Sequence, residues 1–139
     1  MHKNYKFIYK VHPEVKVELV NYLILKLNEY DLKNIRLSES NIDLFKEIQS
    51  SSFIIYRGSS AVLEGCLSGL LPIYYNASEY VDINPLFKFF DDSLIINQPN
   101  DLEKYKNLNK FYDKINLYKK ISCEYFEKVN PEIIKELLT

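Results

Sequence analysis

Short apolar segments alternate with amphipathic segments along this chain, and the alternation limits its fold more than any other feature. Five short segments predict strands: Lys6–Val11, Asn34–Ser38, Phe53–Tyr56, Leu71–Tyr75 and Leu94–Ile96. Consecutive parallel strands need a crossover, usually a helix. The sequence therefore predicts an α/β, Rossmann-like domain with a mostly parallel sheet of about five strands, helices on both faces and a helical C-terminal segment. Phe53–Tyr56 is apolar without alternation, so we expect it in the middle of the sheet.

Apolar residues at three- and four-residue spacing predict the helices between these strands. The predicted helices are Val15–Tyr30 with Glu14 near its start, Ile42–Ile48 capped by Ser40 or Asn41, and Ala61–Leu67 capped by Ser59 or Ser60 and ended by Gly69. Residues 76–90 are predicted to form a loop with one helical turn. Beyond Pro99 the pattern is helical, with a break near Ser122 and an interruption at Asn130–Pro131.

Length and composition indicate one domain spanning residues 1–139, since 139 residues with 47% apolar side chains suit a single core. A net charge of -1 and a pI near 6.1 do not favour nucleic acid as a partner. No run approaches the roughly 20 apolar residues that cross a bilayer, and the N-terminus lacks a signal-peptide core, so we expect a cytoplasmic protein. Cys66 and Cys123 match no metal or redox spacing and are expected as buried, reduced thiols.

In open α/β sheets, ligands bind beyond the carboxyl ends of the strands. In this chain that edge would carry polar residues after every predicted strand: His12, Ser38, Arg57–Ser60, Tyr75–Asn76 and Asn97–Gln98. Arg57-Gly58-Ser59-Ser60 suits an anion, because a glycine allows close approach and the turn offers amides and hydroxyls at the start of a helix. Phosphate is the natural ligand. The alternative is an ordinary turn in which Gly58 relieves strain and a serine caps the helix.

His12 follows another predicted strand, so it is expected at the same edge as the serine turn. An imidazole there could donate to a phosphate oxygen and stabilise charge on a leaving nucleotide, although a histidine before a proline is also a common turn residue. Glu64 lies one helical turn beyond Ser60 and could accept hydrogen bonds from ribose hydroxyls, or could simply face solvent. Tyr75 and Asn76 could contact a base or a sugar, or belong to the core and surface.

Several known enzyme signatures are missing from the chain. It contains no Walker A loop, no dinucleotide-type glycine triplet, no Gly-x-Ser-x-Gly elbow and no cluster with metal-ligand spacing. The aromatic cluster Phe87, Phe89 and Phe90 is more typical of packing than of a ligand site. We expect neither a metal nor a bound cofactor.

The segment from Arg57 to Ile73 resembles the donor-binding signature in the C-terminal half of GT-B glycosyltransferases. Many of these read Gly-Ser-Ser, then Glu, then Gly and Pro-Ile. Lys10-Val11-His12-Pro13 is similar to the His-Pro motif of bacterial sialyltransferases, polysialyltransferases and CDP-glycerol transferase relatives that build capsule and other surface polymers. The resemblance implies phosphate contacts by His12, Ser59 and Ser60 and a ribose contact by Glu64. It favours CMP- or CDP-linked sugar donors over UDP-linked ones.

A GT-B enzyme also needs an N-terminal half that binds the acceptor, and this chain contains no such half. The resemblance therefore implies a donor-binding half in bacterial surface-polysaccharide synthesis, inactive alone and dependent on a missing acceptor-binding domain or subunit. Such a partner could hold it at the inner face of the membrane. Two alternatives remain open: a domain of a GT-B-like sugar-nucleotide epimerase, and a non-catalytic Rossmann-like interaction module.

Overall fold

The computed structural model describes residues 5–11, 15–31, 33–38, 42–76 and 84–126, and strands alternate with helices along them. The elements are β1 Phe7–Tyr9, α1 Val17–Glu29, β2 Ile35–Leu37, α2 Leu44–Gln49, β3 Phe53–Tyr56, α3 Ala61–Leu67, β4 Leu71–Tyr75, β5 Ile95–Ile96 and α4 Tyr112–Tyr125. Short 3₁₀ helices cover Phe87–Phe89, Asp92–Leu94, Pro99–Tyr105 and Leu108–Phe111. The predicted α/β class is confirmed, and so is the helical turn within the loop after β4.

The five strands form two parallel sheets and not one. β1 pairs with β2, and β3, β4 and β5 form a second sheet with β4 in its middle. The expectation that Phe53–Tyr56 is the central strand is wrong, because among the described strands β3 pairs with β4 alone. β4 takes that place, with Leu71, Pro72, Ile73 and Tyr74 all buried.

Pro72 is compatible with the central strand because of its position in the ladder. The Leu71 N–H donates to the Ser52 carbonyl 3.4 Å away, so the backbone N–H and C=O groups of Leu71 point toward β3. The backbone of the next residue, Pro72, points to the opposite side, toward β5. β5 begins to pair only at Tyr74. The missing N–H of Pro72 therefore costs the sheet no hydrogen bond.

The two sheets meet where β1 and β3 begin. The Tyr5 ring lies edge-on to the Phe53 ring with 5.6 Å between centroids, and the Tyr5 hydroxyl donates to the Leu102 carbonyl over 3.2 Å. Phe7 also packs against the main core. These contacts place the start of β1 beside the start of β3.

The main core lies between the three-stranded sheet and the helices α3 and α4, which pack against each other. α3 approaches β3 closely at Gly65, where an added Cβ would lie 3.1 Å from Ile54 Cγ2 and 3.2 Å from Ile54 Cδ1. The helix ends as predicted at Gly69, which has φ of 85° and donates its N–H to the Cys66 carbonyl over 2.9 Å. Gly65 thus lets α3 pack closely against the sheet, and Gly69 ends the helix before β4 begins.

Two details of the helices differ from expectation. Asp43 caps α2 by accepting the Phe45 N–H at 3.2 Å, whereas Ser40 and Asn41 lie outside the described residues. α4 runs through Ser122 without a break, because Ser122 is fully buried in the helix packing, which overrides local propensity. Asn130–Pro131 lies outside the described residues.

The two cysteines differ in burial. Cys66 is buried in α3 as expected, and burial raises the pKa of its thiol to about 11. Cys123 is exposed, so the expectation of two buried thiols is half wrong. Its neighbours Ile121 and Ser122 occupy the buried side of α4, which turns Cys123 outward.

A charged contact fixes α4 to the loop before β5. Lys114 donates to the carboxylate of Asp91 and to the hydroxyl of Ser93, and the Asp91 N–H donates to the Tyr118 hydroxyl over 3.1 Å. The hydrogen bond from Lys114 is the largest cause that lowers the pKa of Asp91 to about 2.

We predict that replacing Gly65 by valine lowers the free energy of unfolding by about 2 kcal/mol, since the new side chain must displace Ile54 in a packed interface. Urea denaturation measures the change. The second substitution Ile54→Ala makes room, so the cost of Gly65→Val should be smaller in that background. Equal costs in the two backgrounds would show that the close approach at Gly65 does not limit the packing.

We predict that Asp91 makes stability fall between about pH 4 and pH 2. Its pKa in the folded state, about 2, lies below the ordinary 3.8, so the contribution is present above pH 4 and is lost as the pH falls through the folded-state value. Because the side chain is 43% exposed, the effect should not exceed about 1 kcal/mol. In the Asp91→Asn variant, the free energy of unfolding measured with urea should depend less on pH over this range. Asp92→Asn, at the neighbouring exposed position, should leave the pH dependence unchanged.

Candidate functional site

The carboxyl ends of β3, β4 and β5 form one row in the structure. Tyr56 at the end of β3 is in register with Tyr74 of β4, and Tyr75 is in register with Ile96 of β5. Adjacent strands are separated by roughly 5 Å. Gly58, two residues beyond β3, and Asn76 and Asn97, directly after β4 and β5, therefore lie close together at this edge of the sheet.

The turn Arg57–Ser60 connects the end of β3 to the start of α3. Gly58 has φ of 66°, in the left-handed region, so this position requires a glycine or tolerates another residue only with strain. Gly58, Ser59 and Ser60 are exposed, and their backbone N–H groups have no acceptor among the described residues. Three amides offered by a short turn suit the oxygens of an anion.

The two serines of the turn have different local roles. The Ser59 hydroxyl accepts the Ala61 N–H at 3.3 Å, and the Ser59 carbonyl accepts the Val62 N–H at 3.3 Å. Ser60 is the residue that precedes α3, but its side chain makes no capping hydrogen bond. Of the two predicted caps, Ser59 is the one that acts, which leaves the Ser60 hydroxyl available.

Beside the turn, two carboxamides at the ends of β4 and β5 are joined to each other. Asn76 Nδ2 donates to Asn97 Oδ1 over 3.1 Å, and the Asn76 N–H donates to the Ile96 carbonyl over 2.9 Å. Asn76 Oδ1 and Asn97 Nδ2 have no partner among the described residues. The pair thus presents one acceptor and one donor group to solvent.

Asp101 holds the backbone that carries Asn97. Its Oδ2 accepts the N–H of Asn97 at 2.8 Å and that of Gln98 at 3.2 Å, and these bonds lower the pKa of the carboxyl group. Sequence reasoning did not select Asp101. The available signal was Pro99 at the first helical position with an acidic residue two positions later, a pattern typical of a helix start.

The remaining predicted site residues have separate placements. Glu64 lies exposed in the first turn of α3, Tyr75 is 41% exposed at the end of β4, and Arg57 is half-buried. The structure therefore brings Arg57–Ser60 and Tyr75–Asn76 to one edge, with Glu64 a turn along the helix. His12 lies outside the described residues.

A second polar cluster occupies the carboxyl ends of β1 and β2. Arg36 donates to both oxygens of Glu47, at 3.2 and 2.7 Å, and the Ser38 hydroxyl donates to Glu47 Oε1 at 2.8 Å. Lys10 donates to the Ser38 hydroxyl over 3.2 Å and to the carbonyl of Ile42. Glu47 is buried, and the hydrogen bond from Arg36 is the main cause of its lowered pKa. Ser38 follows the carboxyl end of β2 as expected, and its bond to Glu47 helps to attach α2 to β2.

Protein-family models, curated proteins and solved structures were compared with the chain, and none matches it. The site therefore has to be interpreted from its own geometry. Among the described residues no three histidine, cysteine or acidic side chains lie together as metal ligands. No helix in the described part of the chain is long and apolar enough to cross a membrane.

The capping geometry predicts different effects for the two serines on stability. Ser59→Ala should lower the free energy of unfolding by about 1 kcal/mol, because it removes the acceptor of the Ala61 N–H. Ser60→Ala should change it by less than about 0.5 kcal/mol, because the Ser60 hydroxyl caps nothing. Thermal or urea unfolding of both variants measures the difference. A larger loss for Ser60→Ala would show that Ser60 is the structural cap.

Proposed function

We propose that this chain is the donor-binding half of a glycosyltransferase of bacterial surface-polysaccharide synthesis, holding a nucleotide sugar by its phosphates. The observation that carries the proposal is the turn Gly58–Ser60 at the carboxyl edge of a parallel sheet. Its three backbone N–H groups and the Ser60 hydroxyl have no hydrogen-bond partner in the part of the chain that the structure describes. Ligands of open α/β sheets bind at this edge. A phosphate offers the acceptor oxygens that these donors need.

The neighbouring strands provide groups for the rest of such a ligand. Asn76 follows β4, one strand away from the turn, and Asn97 follows β5, two strands away. Asn76 Oδ1 and Asn97 Nδ2 have no partner among the described residues. A base or sugar attached to the phosphate can bond to both. Glu64 on the exposed side of α3 is proposed to accept hydrogen bonds from ribose hydroxyls.

His12 is proposed to stabilise the leaving nucleotide. The contact between Tyr5 and Phe53 joins the starts of β1 and β3, which supports a common edge for the carboxyl ends of these two strands. An imidazole near the phosphate would donate a hydrogen bond to an oxygen that gains negative charge as the sugar bond breaks. We expect CMP- or CDP-linked donors, following the resemblance of the His-Pro segment.

Transfer also requires an acceptor and a base that deprotonates its attacking hydroxyl. We propose that an acceptor-binding domain or subunit supplies both, and that the chain alone binds donor without turnover. In this proposal the protein works in the cytoplasm, and its partner can hold it at the inner face of the membrane.

Nucleotide titration tests the proposal. CMP, CDP, UDP and GDP are added to the ¹⁵N-labelled chain, and the backbone amide shifts of Gly58, Ser59 and Ser60 are followed by NMR. We expect a saturable change with CMP or CDP. Ser60→Ala should weaken binding roughly tenfold, since hydrogen bonds to a charged group are worth about 1.5–3 kcal/mol.

Ser68→Ala is the matched control, because Ser68 is exposed at the other end of α3 and should leave binding unchanged. If no nucleotide shifts the amides of Gly58–Ser60 at millimolar concentration, the donor-site proposal is wrong. If Ser60→Ala and Ser68→Ala weakened nucleotide binding equally, that result would also contradict the assigned site.

A further inference from the structure

Among the described strands, none pairs with the outer edge of β2. The Phe7 N–H donates to the Asn34 carbonyl at 2.8 Å, and the Ser38 N–H donates to the Tyr9 carbonyl at 2.9 Å. The backbone N–H and C=O groups of every second residue of β2 therefore point toward β1. The N–H and C=O groups of Ile35 and Leu37 therefore point away from β1. No described strand pairs with them. An edge of this kind is a template for another strand.

A groove of about 410 Å³ with a mixed lining lies between β2 and α1. Its apolar lining residues are Ile24, Leu27, Ile35 and Leu37, and its polar ones are Asn28, Asp31 and Lys33. α1 contains no buried residue, and Ile24 is 42% exposed although it faces the groove. A monomer leaves this apolar surface in water.

One exposed side of α1, which borders the groove at Ile24 and Asn28, carries no charge. This side is a stripe of four exposed residues at four- and three-residue spacing: Val17, Asn21, Ile24 and Asn28. The charged residues Glu18, Lys26 and Glu29 lie on other sides of the helix. A two-fold interface brings each patch against its own copy, so an uncharged stripe avoids repulsion between like charges.

The charges at the end of the groove are of both signs. Asp31 and Lys33 contact each other at 3.1 Å with side chains 74% and 84% exposed, so their pairing within the chain contributes little. Two copies related by a two-fold axis can exchange these partners. Arg36 projects from the opposite face of β2 and is neutralised there by Glu47.

We propose that two copies of this chain associate through this outer-edge surface, with their β2 strands antiparallel across a two-fold axis and their α1 stripes in contact. The backbone N–H and C=O groups of Ile35 and Leu37 in each copy then form hydrogen bonds with the β2 strand of the other copy. The apolar side chains of both copies close the two grooves. The association does not depend on the turn Gly58–Ser60, which follows β3 of the other sheet.

Sedimentation velocity at micromolar to submillimolar concentrations tests the proposal on the intact chain. We expect a reversible dimer. Ile24→Glu should weaken it at least tenfold, because two carboxylates then meet in an apolar contact. Leu19→Glu is the matched control, since Leu19 is 49% exposed on a different side of α1 and should leave the dimer intact. Lys33→Glu should weaken the dimer and do so less at high salt.

Hydrogen exchange locates the contact. In the dimer, the amides of Ile35 and Leu37 should become more protected as the protein concentration rises, and Ile24→Glu should remove that dependence. A wild-type chain that stays monomeric overturns the proposal. So does a dimer that leaves these two amides unprotected, or one that Leu19→Glu weakens as much as Ile24→Glu.

Discussion

The packing of α3 against β3 and β4 is the contact on which the rest of the structure depends. It favours a residue without a side chain at position 65, because an added Cβ there would lie 3.1 Å from Ile54 Cγ2. Gly69 then turns the chain back into β4, whose residues Leu71 to Tyr74 are buried. This packing fixes both ends of the turn Arg57–Ser60. The turn can therefore remain exposed without a ligand, with no described residue accepting the N–H groups of Gly58, Ser59 and Ser60.

The carboxyl edge combines groups that stabilise the fold with groups that do not. The Ser59 hydroxyl and the Asp101 carboxylate bond to backbone N–H groups and hold their loops. The Ser60 hydroxyl and the outer atoms of the Asn76–Asn97 pair have no such role among the described residues. Exposed groups of this kind contribute little to stability. They are the groups that can bind a ligand.

The order of strands and helices could be predicted because local hydrophobic periodicity encodes it, as the positions of β4 and Gly69 show. The placement of Arg57–Ser60 and Asn76 at one edge followed from the parallel topology. The central strand was assigned wrongly, because Phe53–Tyr56 and Leu71–Tyr75 are both continuous apolar runs and only pairing distinguishes them. The burial of Ser122 and the Arg36–Glu47 contact depend on packing between distant segments, which no local pattern reveals.

The most direct test of the account is a crystal structure of the chain grown with cytidine diphosphate. The account predicts phosphate oxygens about 3 Å from the backbone nitrogens of Ser59 and Ser60, with the turn unchanged and the nucleoside extending toward Asn76 and Asn97. A nucleotide bound at another surface, or a turn whose amides all bond within the protein, would contradict it.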